Sequence, residues 1–317
     1  MEPAISPRPC YVCGATGNPV VAREPVEHRF GKPLMPEGTY EFVRCRRCST
    51  LYVNSAVDDE YLAEIYANET VESVKDIPGG DHSAIVDLRL PEFRRHWAEL
   101  RRLCPPRSGD ELLDVGCQTG DFGMLPMADG VTPHGVEMSR SYADTCLKRW
   151  GASSVVHCGP VATAPFMPGH FRFVTSFETL EHTCDPLSVL ERMREWLAPD
   201  GAVAISMPSS DYFHFKFWLL RRSPLRGLMA LAFRHRSSFY DRQVLPHTHI
   251  YNFSMASMRL LLERAGFAPV LVSLTGWHGG AGPVLGAVGH GLAMLSGSRI
   301  GFAPSVFAIA RKAQVRP

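Results

Sequence analysis

Four cysteines form two pairs early in the chain, Cys10 and Cys13 in CYVCG and Cys45 and Cys48 in CRRC. Each C-x-x-C can turn two thiolates onto one tetrahedral ion, so two pairs make a complete ligand set. Gly14 frees the backbone to turn after the first pair. The strand-like YEFVRC (40–45) leads into the second, as two facing knuckles of a zinc ribbon require. A redox role needs a C-x-x-C at a helix start, and neither pair precedes a helical pattern. Cys10, Cys13, Cys45 and Cys48 are therefore expected to hold one structural Zn2+ in a module spanning 1–55, a closed site that supplies stability.

The second constellation is ELLDVGCQTGDFG (111–123). Leu112, Leu113 and Val115 read as a buried strand, and Gly116 and Gly120 bracket a turn into a helix. A dinucleotide turn needs glycine at 116, 118 and 121, where the chain has Gly116, Gln118 and Asp121. A phosphate loop needs Lys-Ser/Thr after the glycines, and none follows. What remains is Asp114 at the strand end, which suits an ammonium group, and a helix N-terminus with free amides, which suits a carboxylate. The next strand, VTPHGVEMS, ends in Glu137. A carboxylate about 20 residues beyond such a turn can accept hydrogen bonds from ribose hydroxyls. The expected ligand thus combines an amino-acid moiety with a nucleoside.

Several elements must hold these groups in place. Segment 83–104 has helical spacing, with a break expected near Pro91. Strands expected near 112–115, 132–136, 155–158, 172–177 and 202–206 alternate with helical segments. The alternation predicts a doubly wound parallel sheet that binds its ligand at the strand C-termini. PVLVSLTG (269–276) and SVFAIARK (305–312) would bring it to seven strands. Ser139 is a plausible N-cap for the helix that Gly151 closes.

Residues 111–140 resemble class I S-adenosylmethionine-dependent methyltransferases, and the likeness runs from about 90 to 270. FRFVTSFETLEHTCDP (171–186) is similar to the fourth strand and following loop of the small-molecule branch. LAPDGAVAISMPS (197–209) resembles the turn and fifth strand, and HTHIYNFSMASMRLLLERAGF (247–267) the segment and helix beyond. The zinc module followed by this domain resembles sugar C-methyltransferases and related natural-product enzymes. The resemblance implies an α/β, seven-stranded, mostly parallel Rossmann-like domain over 83–317, its last strand antiparallel. It implies S-adenosyl-L-methionine held by Asp114, Gly116, Cys117, Gln118, Gly120, Glu137, Met138, Val161 and Phe177. His182 and His249 are the candidate bases, and Phe177 and Phe122 the candidate aromatic neighbours of the sulfonium. Three positions depart from the family pattern: Gln118 stands for glycine, Pro160 for an adenine-binding acid, and Arg172 for the aspartate that starts the fourth strand.

The totals narrow the remaining readings. The chain has 317 residues, 45% hydrophobic and 21% charged, with a net charge of +1, so no DNA partner is expected. The N-terminal MEPAISPRPC lacks an apolar segment, and the nine cysteines are mostly scattered, which suits a reducing cytoplasm. The insert 211–245 mixes aromatics with arginines and reads as a helical lid, or as a contact for a membrane surface or a carrier-bound substrate. Apolar 281–297 could join that surface. The expected function is methyl transfer to oxygen or carbon of a sugar, lipid-like or natural-product intermediate. Two alternatives stand beside it: an RNA methyltransferase with the zinc ribbon as reader, and a catalytically inactive binding module.

Overall fold

The computed structural model describes residues 7–26, 34, 37–55, 57–70, 82–218, 224, 249–275, 291, 292, 295 and 303–314. In chain order these build β1 (Val20–Pro25), β2 (Thr39–Arg44), β3 (Leu51–Val53), α1 (Asp59–Ala67), α2 (His82–Leu103) and β4 (Glu111–Val115). There follow α3 (Met124–Ala128), β5 (Thr132–Glu137), α4 (Arg140–Trp150), β6 (Val156–Cys158), β7 (Phe171–Phe177), α5 (Pro186–Trp196) and β8 (Leu197–Pro208). The chain closes with α6 (Ser210–Phe217), β9 (Tyr251–Asn252), α7 (Met255–Arg264), β10 (Phe267–Thr275) and β11 (Ser305–Lys312). It divides into two compact units. One comprises Met1–Ala56, Pro208–Met258 and Ser273–Val306, the other Val57–Met207, Arg259–Val272 and Phe307–Pro317.

In the first unit the strands pair in the order β1-β2-β3-β9. β9 comes from far along the chain and pairs antiparallel with β3, Leu51 opposite Asn252 and Tyr52 opposite Tyr251. Ser254, just beyond β9, donates its hydroxyl to the Cys48 carbonyl at 2.7 Å. Arg44 at the end of β2 donates to Asp211 in α6 at 2.6 Å. Burial pushes the Asp211 carboxyl up to about 6, against the pull of Arg44. Of the insert 211–245, the helix α6, Trp218 and Pro224 are described; its remaining residues, and most of 281–297, lie outside the described residues.

The second unit carries the expected seven-stranded sheet, in the order β10-β11-β8-β7-β4-β5-β6. β4 pairs in parallel with both β5 and β7, β5 with β6, and β7 with β8. Every residue of β7 is buried and four of the five in β4 are, as strands covered on both faces demand. Leu112, Phe173, Ala202 and Ala204 pack against Trp97 and Leu100 of α2 and Phe307 and Ile309 of β11. Ser139 caps α4 by accepting from the Tyr142 amide, and Gly151 (φ 86°) ends it. The break expected at Pro91 does not occur: α2 runs unbroken through it. Proline removes one hydrogen bond from a helix, and here the burial of Trp97, Leu100 and Cys104 outweighs that loss.

Candidate functional site

A cavity of about 150 Å³ opens at the C-terminal ends of β4 and β5. Gly116 forms its floor where β4 ends. The residue has φ 80°, and a Cβ there would run into the Thr179 side chain, so only glycine fits. Gln118 sits at φ 47°, the left-handed region that glycine usually fills. Its side chain is exposed and its amide donates to Glu137 Oε2 at 2.9 Å.

Glu137, at the end of β5, is buried. Its other oxygen accepts from the Ser139 amide at 2.9 Å. Burial raises its pKa, and the Ser139, Gln118 and Met138 amides pull the other way. Met138 and Val161 line the same cavity. Pro160 caps the single helical turn Val161–Thr163 and brings no acid there.

His182 lines the cavity from the turn after β7. Its Nδ1 lies 2.8 Å from the Tyr66 hydroxyl, and its Nε2 lies 3.7 Å from Glu181 Oε1. Burial raises the Tyr66 pKa, so the phenol stays protonated. Glu181 is fully buried and neither oxygen has a hydrogen bond among the described residues. Burial, with the Glu178 charge, pushes its carboxyl well above the usual range.

Other expected residues sit behind this cavity rather than on it. Asp114 is buried and accepts from Thr175 Oγ1 at 2.7 Å; burial pushes it up to about 7. Cys117 is buried with its sulfur 3.7 Å from Cys146. The Gly120 carbonyl accepts from the Trp150 indole at 2.9 Å. Phe177 and Phe122 pack edge to face, 4.7 Å apart, in the core. His249 precedes β9 in the first unit and is not among the lining residues. Arg172 lies at the start of β7, where it donates to the Asp200 carbonyl at 2.7 Å and pairs with the Asp200 and Asp110 carboxylates. That is the sheet edge opposite the cavity, so the missing aspartate of the fourth strand is replaced by a structural ion pair.

Sequence reasoning missed Tyr66 and Glu69, which line the cavity from α1 and the residues after it. The available signal was Asp58, which caps α1 by accepting from the Glu60 and Tyr61 amides, ahead of apolar Leu62 and Ile65 at helical spacing.

The four N-terminal cysteines converge in the first unit, all their sulfurs within 4.8 Å of one another. Cys10 and Cys48 are 3.6 Å apart, Cys13 and Cys45 3.4 Å. A tetrahedron of thiolates around zinc, at about 2.3 Å per bond, has edges of about 3.8 Å, so the cluster fits such an ion.

A family model described as a methyltransferase domain matches residues 90–272. The chain is 30% identical over 118 residues to a ubiquinone biosynthesis O-methyltransferase of Thiobacillus denitrificans, 36% of this chain and 50% of the relative. It is 30% identical over 135 residues to nocamycin O-methyltransferase of Saccharothrix syringae, 40% of this chain and 48% of the relative. The chain therefore spans about half the length of these curated relatives. Among solved structures, the fold is similar to Burkholderia thailandensis 1,6-didemethyltoxoflavin-N1-methyltransferase, crystallised with 1,6-didemethyltoxoflavin and S-adenosylhomocysteine. The TM-score is 0.54 at 17% identity, over 92% of this chain and 100% of that one.

Proposed function

The chain belongs to the class I S-adenosylmethionine-dependent methyltransferase family, and from that premise we propose that it methylates an oxygen or carbon atom of a small molecule, a sugar, lipid-like or natural-product intermediate. The carrying observation is one cavity that holds Gly116, Gln118 and Glu137 together with His182. The O-methyltransferase names of the partial relatives support the acceptor class.

In this reading the Glu137 carboxylate accepts the ribose hydroxyls. Gly116 lets the ligand approach the backbone, and Met138 and Val161 flank the base. The cofactor supplies an electrophilic methyl group for in-line displacement. The chain aligns donor and acceptor atoms to within about 3–3.5 Å, and His182 takes the proton from a protic acceptor. In the proton-accepting tautomer the hydrogen sits on Nδ1, donated to the Tyr66 oxygen, and Nε2, 3.7 Å from Glu181 Oε1, is the atom that takes the proton. Cys10, Cys13, Cys45 and Cys48 would hold Zn2+ as a structural ion.

Glu137→Ala tests the cofactor assignment. The variant should bind S-adenosylhomocysteine more weakly by about 1.5–3 kcal/mol, the cost of leaving ribose hydroxyls unpaired. Isothermal calorimetry reads this directly, and unchanged affinity rejects the ribose role. A screen of candidate acceptors with methyl-labelled S-adenosylmethionine then tests the transfer itself.

A further inference from the structure

Two thiols meet behind the glycine turn. Cys117 stands between Gly116 and Gln118, both of which line the cavity. Its sulfur lies 3.7 Å from that of Cys146 on α4, and both side chains are buried. Trp150 packs with them. Each sulfur fills space that a glycine leaves. A Cβ on Gly135 would lie 2.5 Å from the Cys117 sulfur, and one on Gly120 2.8 Å from the Cys146 sulfur. The backbone at 117 is held on both sides. Its amide donates to the Val136 carbonyl at 3.2 Å, and its carbonyl accepts from the Gly120 amide at 2.8 Å. Gly116 at φ 80° and Gln118 at φ 47° flank it in the left-handed region, so the turn has little slack. The pair belongs to the unit that carries the seven-stranded sheet, the four N-terminal cysteines to the other.

Two thiols in contact can be joined by a peroxide. Hydrogen peroxide oxidises the Cys117 thiol to a sulfenic acid and releases one water. The Cys146 sulfur then attacks the Cys117 sulfur, the S–O bond breaks, and the leaving hydroxide takes the Cys146 thiol proton as a second water. The pair gives up two hydrogens with their electrons, and the peroxide is reduced to two waters. Burial, with Cys146 beside it, raises the Cys117 pKa. The thiolate is the reactive form, so the first step is slow. Burial does not redirect the second step, because Cys146 is the thiol already in contact with the oxidised sulfur.

We propose that Cys117 and Cys146 form an oxidisable pair whose disulfide loosens the hold of the glycine turn on the cofactor, a reversible redox switch. The inference rests on the cofactor reading above. A covalent bond requires the sulfurs to close well inside their 3.7 Å contact, which draws residue 117 and α4 together. The next residue carries the amide that donates to Glu137 at 2.9 Å. When the turn shifts, that bond lengthens, and the carboxylate that accepts the ribose loses one of its clamps. Reduction by a dithiol breaks the disulfide and lets the turn return.

The test treats the full chain with hydrogen peroxide, wild type beside Cys146→Ser and Cys146→Ala. Peptide mapping without reductant reads the link, and calorimetry with S-adenosylhomocysteine reads binding. Oxidised wild type should yield a peptide pair joined through Cys117 and Cys146. Its affinity should fall by about five-fold or more, as the loss of one hydrogen bond gives, and dithiothreitol should restore it. Both variants should bind like reduced wild type before treatment, which shows that they are folded, and stay within about two-fold after it. They also separate this pair from oxidation at Cys10, Cys13, Cys45 and Cys48, which all three proteins share. No Cys117–Cys146 link, a link with unchanged affinity, or equal loss in the variants overturns the inference while leaving the cofactor reading intact. Reduced wild type that does not bind S-adenosylhomocysteine overturns the cofactor reading and this inference with it.

Discussion

Asp114 separates charge from position at the scale of one residue. Its side chain sits under the glycine turn, fully buried, with Thr175 Oγ1 as its donor. Burial dominates and raises its pKa from 3.8 to about 7. The sign follows from linkage: the folded state keeps a proton that the unfolded chain has lost, so this contribution is full below the unfolded value and is lost as pH rises from about 4 through 7. Asp114→Asn keeps an acceptor for Thr175 and has no proton to lose. Urea unfolding at pH 5 and pH 8 should show wild type losing about 1–3 kcal/mol more than the variant between the two. Parallel curves would mean that Asp114 stays charged in the fold. Gln118 shows the same separation. What the turn needs there is a left-handed backbone and an amide aimed at Glu137, and glutamine supplies both while its side chain stays exposed.

Elements differ in how far their roles could be read from the chain. The strands of the seven-stranded sheet were legible because doubly covered strands are near-continuous apolar runs, and the Ser139 cap and Gly151 stop were legible as local chemistry. Gly116 and Glu137, which line the cavity, could be singled out by spacing; Asp114, expected beside them, sits behind it against Thr175. Tyr66 and Glu69 could not be singled out, because they reach the cavity through the hydrogen bond from Ser139 to the Glu69 carbonyl, which no local pattern encodes. The partner of β3 was equally hidden, since β9 is two residues long and comes from far along the chain. That pairing gives the cysteine cluster an expected reach. Cys48 is bound through its carbonyl to Ser254, and its sulfur lies 3.0 Å from Thr50 Oγ1. Wild-type protein should carry close to one zinc per chain by elemental analysis, and Cys45→Ser should lose it. The same variant should speed amide exchange in 249–258 as well as in 39–53, because β9 and Ser254 hang on the second knuckle. A stable, metal-free wild type with slow exchange in both segments would reject the metal assignment.

At the scale of the whole molecule, each of the two units contributes one candidate histidine for proton transfer. His182 belongs to the unit that carries the seven-stranded sheet and lines the same cavity as Glu137. His249 belongs to the unit that carries the cysteine cluster. The hydrogen bond between His182 Nδ1 and the Tyr66 hydroxyl orients the ring, an arrangement that general-base work needs. His182→Ala should therefore leave S-adenosylhomocysteine affinity within about two-fold and cut turnover by about 100-fold with a protic acceptor. Tyr66→Phe keeps the ring and removes the hydroxyl, so its turnover should fall less, by about ten-fold, and the acid limb of its pH–rate profile should move, because the imidazole loses the group that orients it. His249→Ala measured beside them assigns the chemistry to a unit. A 100-fold loss there, with His182→Ala near normal, would transfer the base to the segment before β9. If all three variants keep normal turnover, the enzyme works by alignment alone, and the acceptor atom is one that surrenders no proton in the slow step.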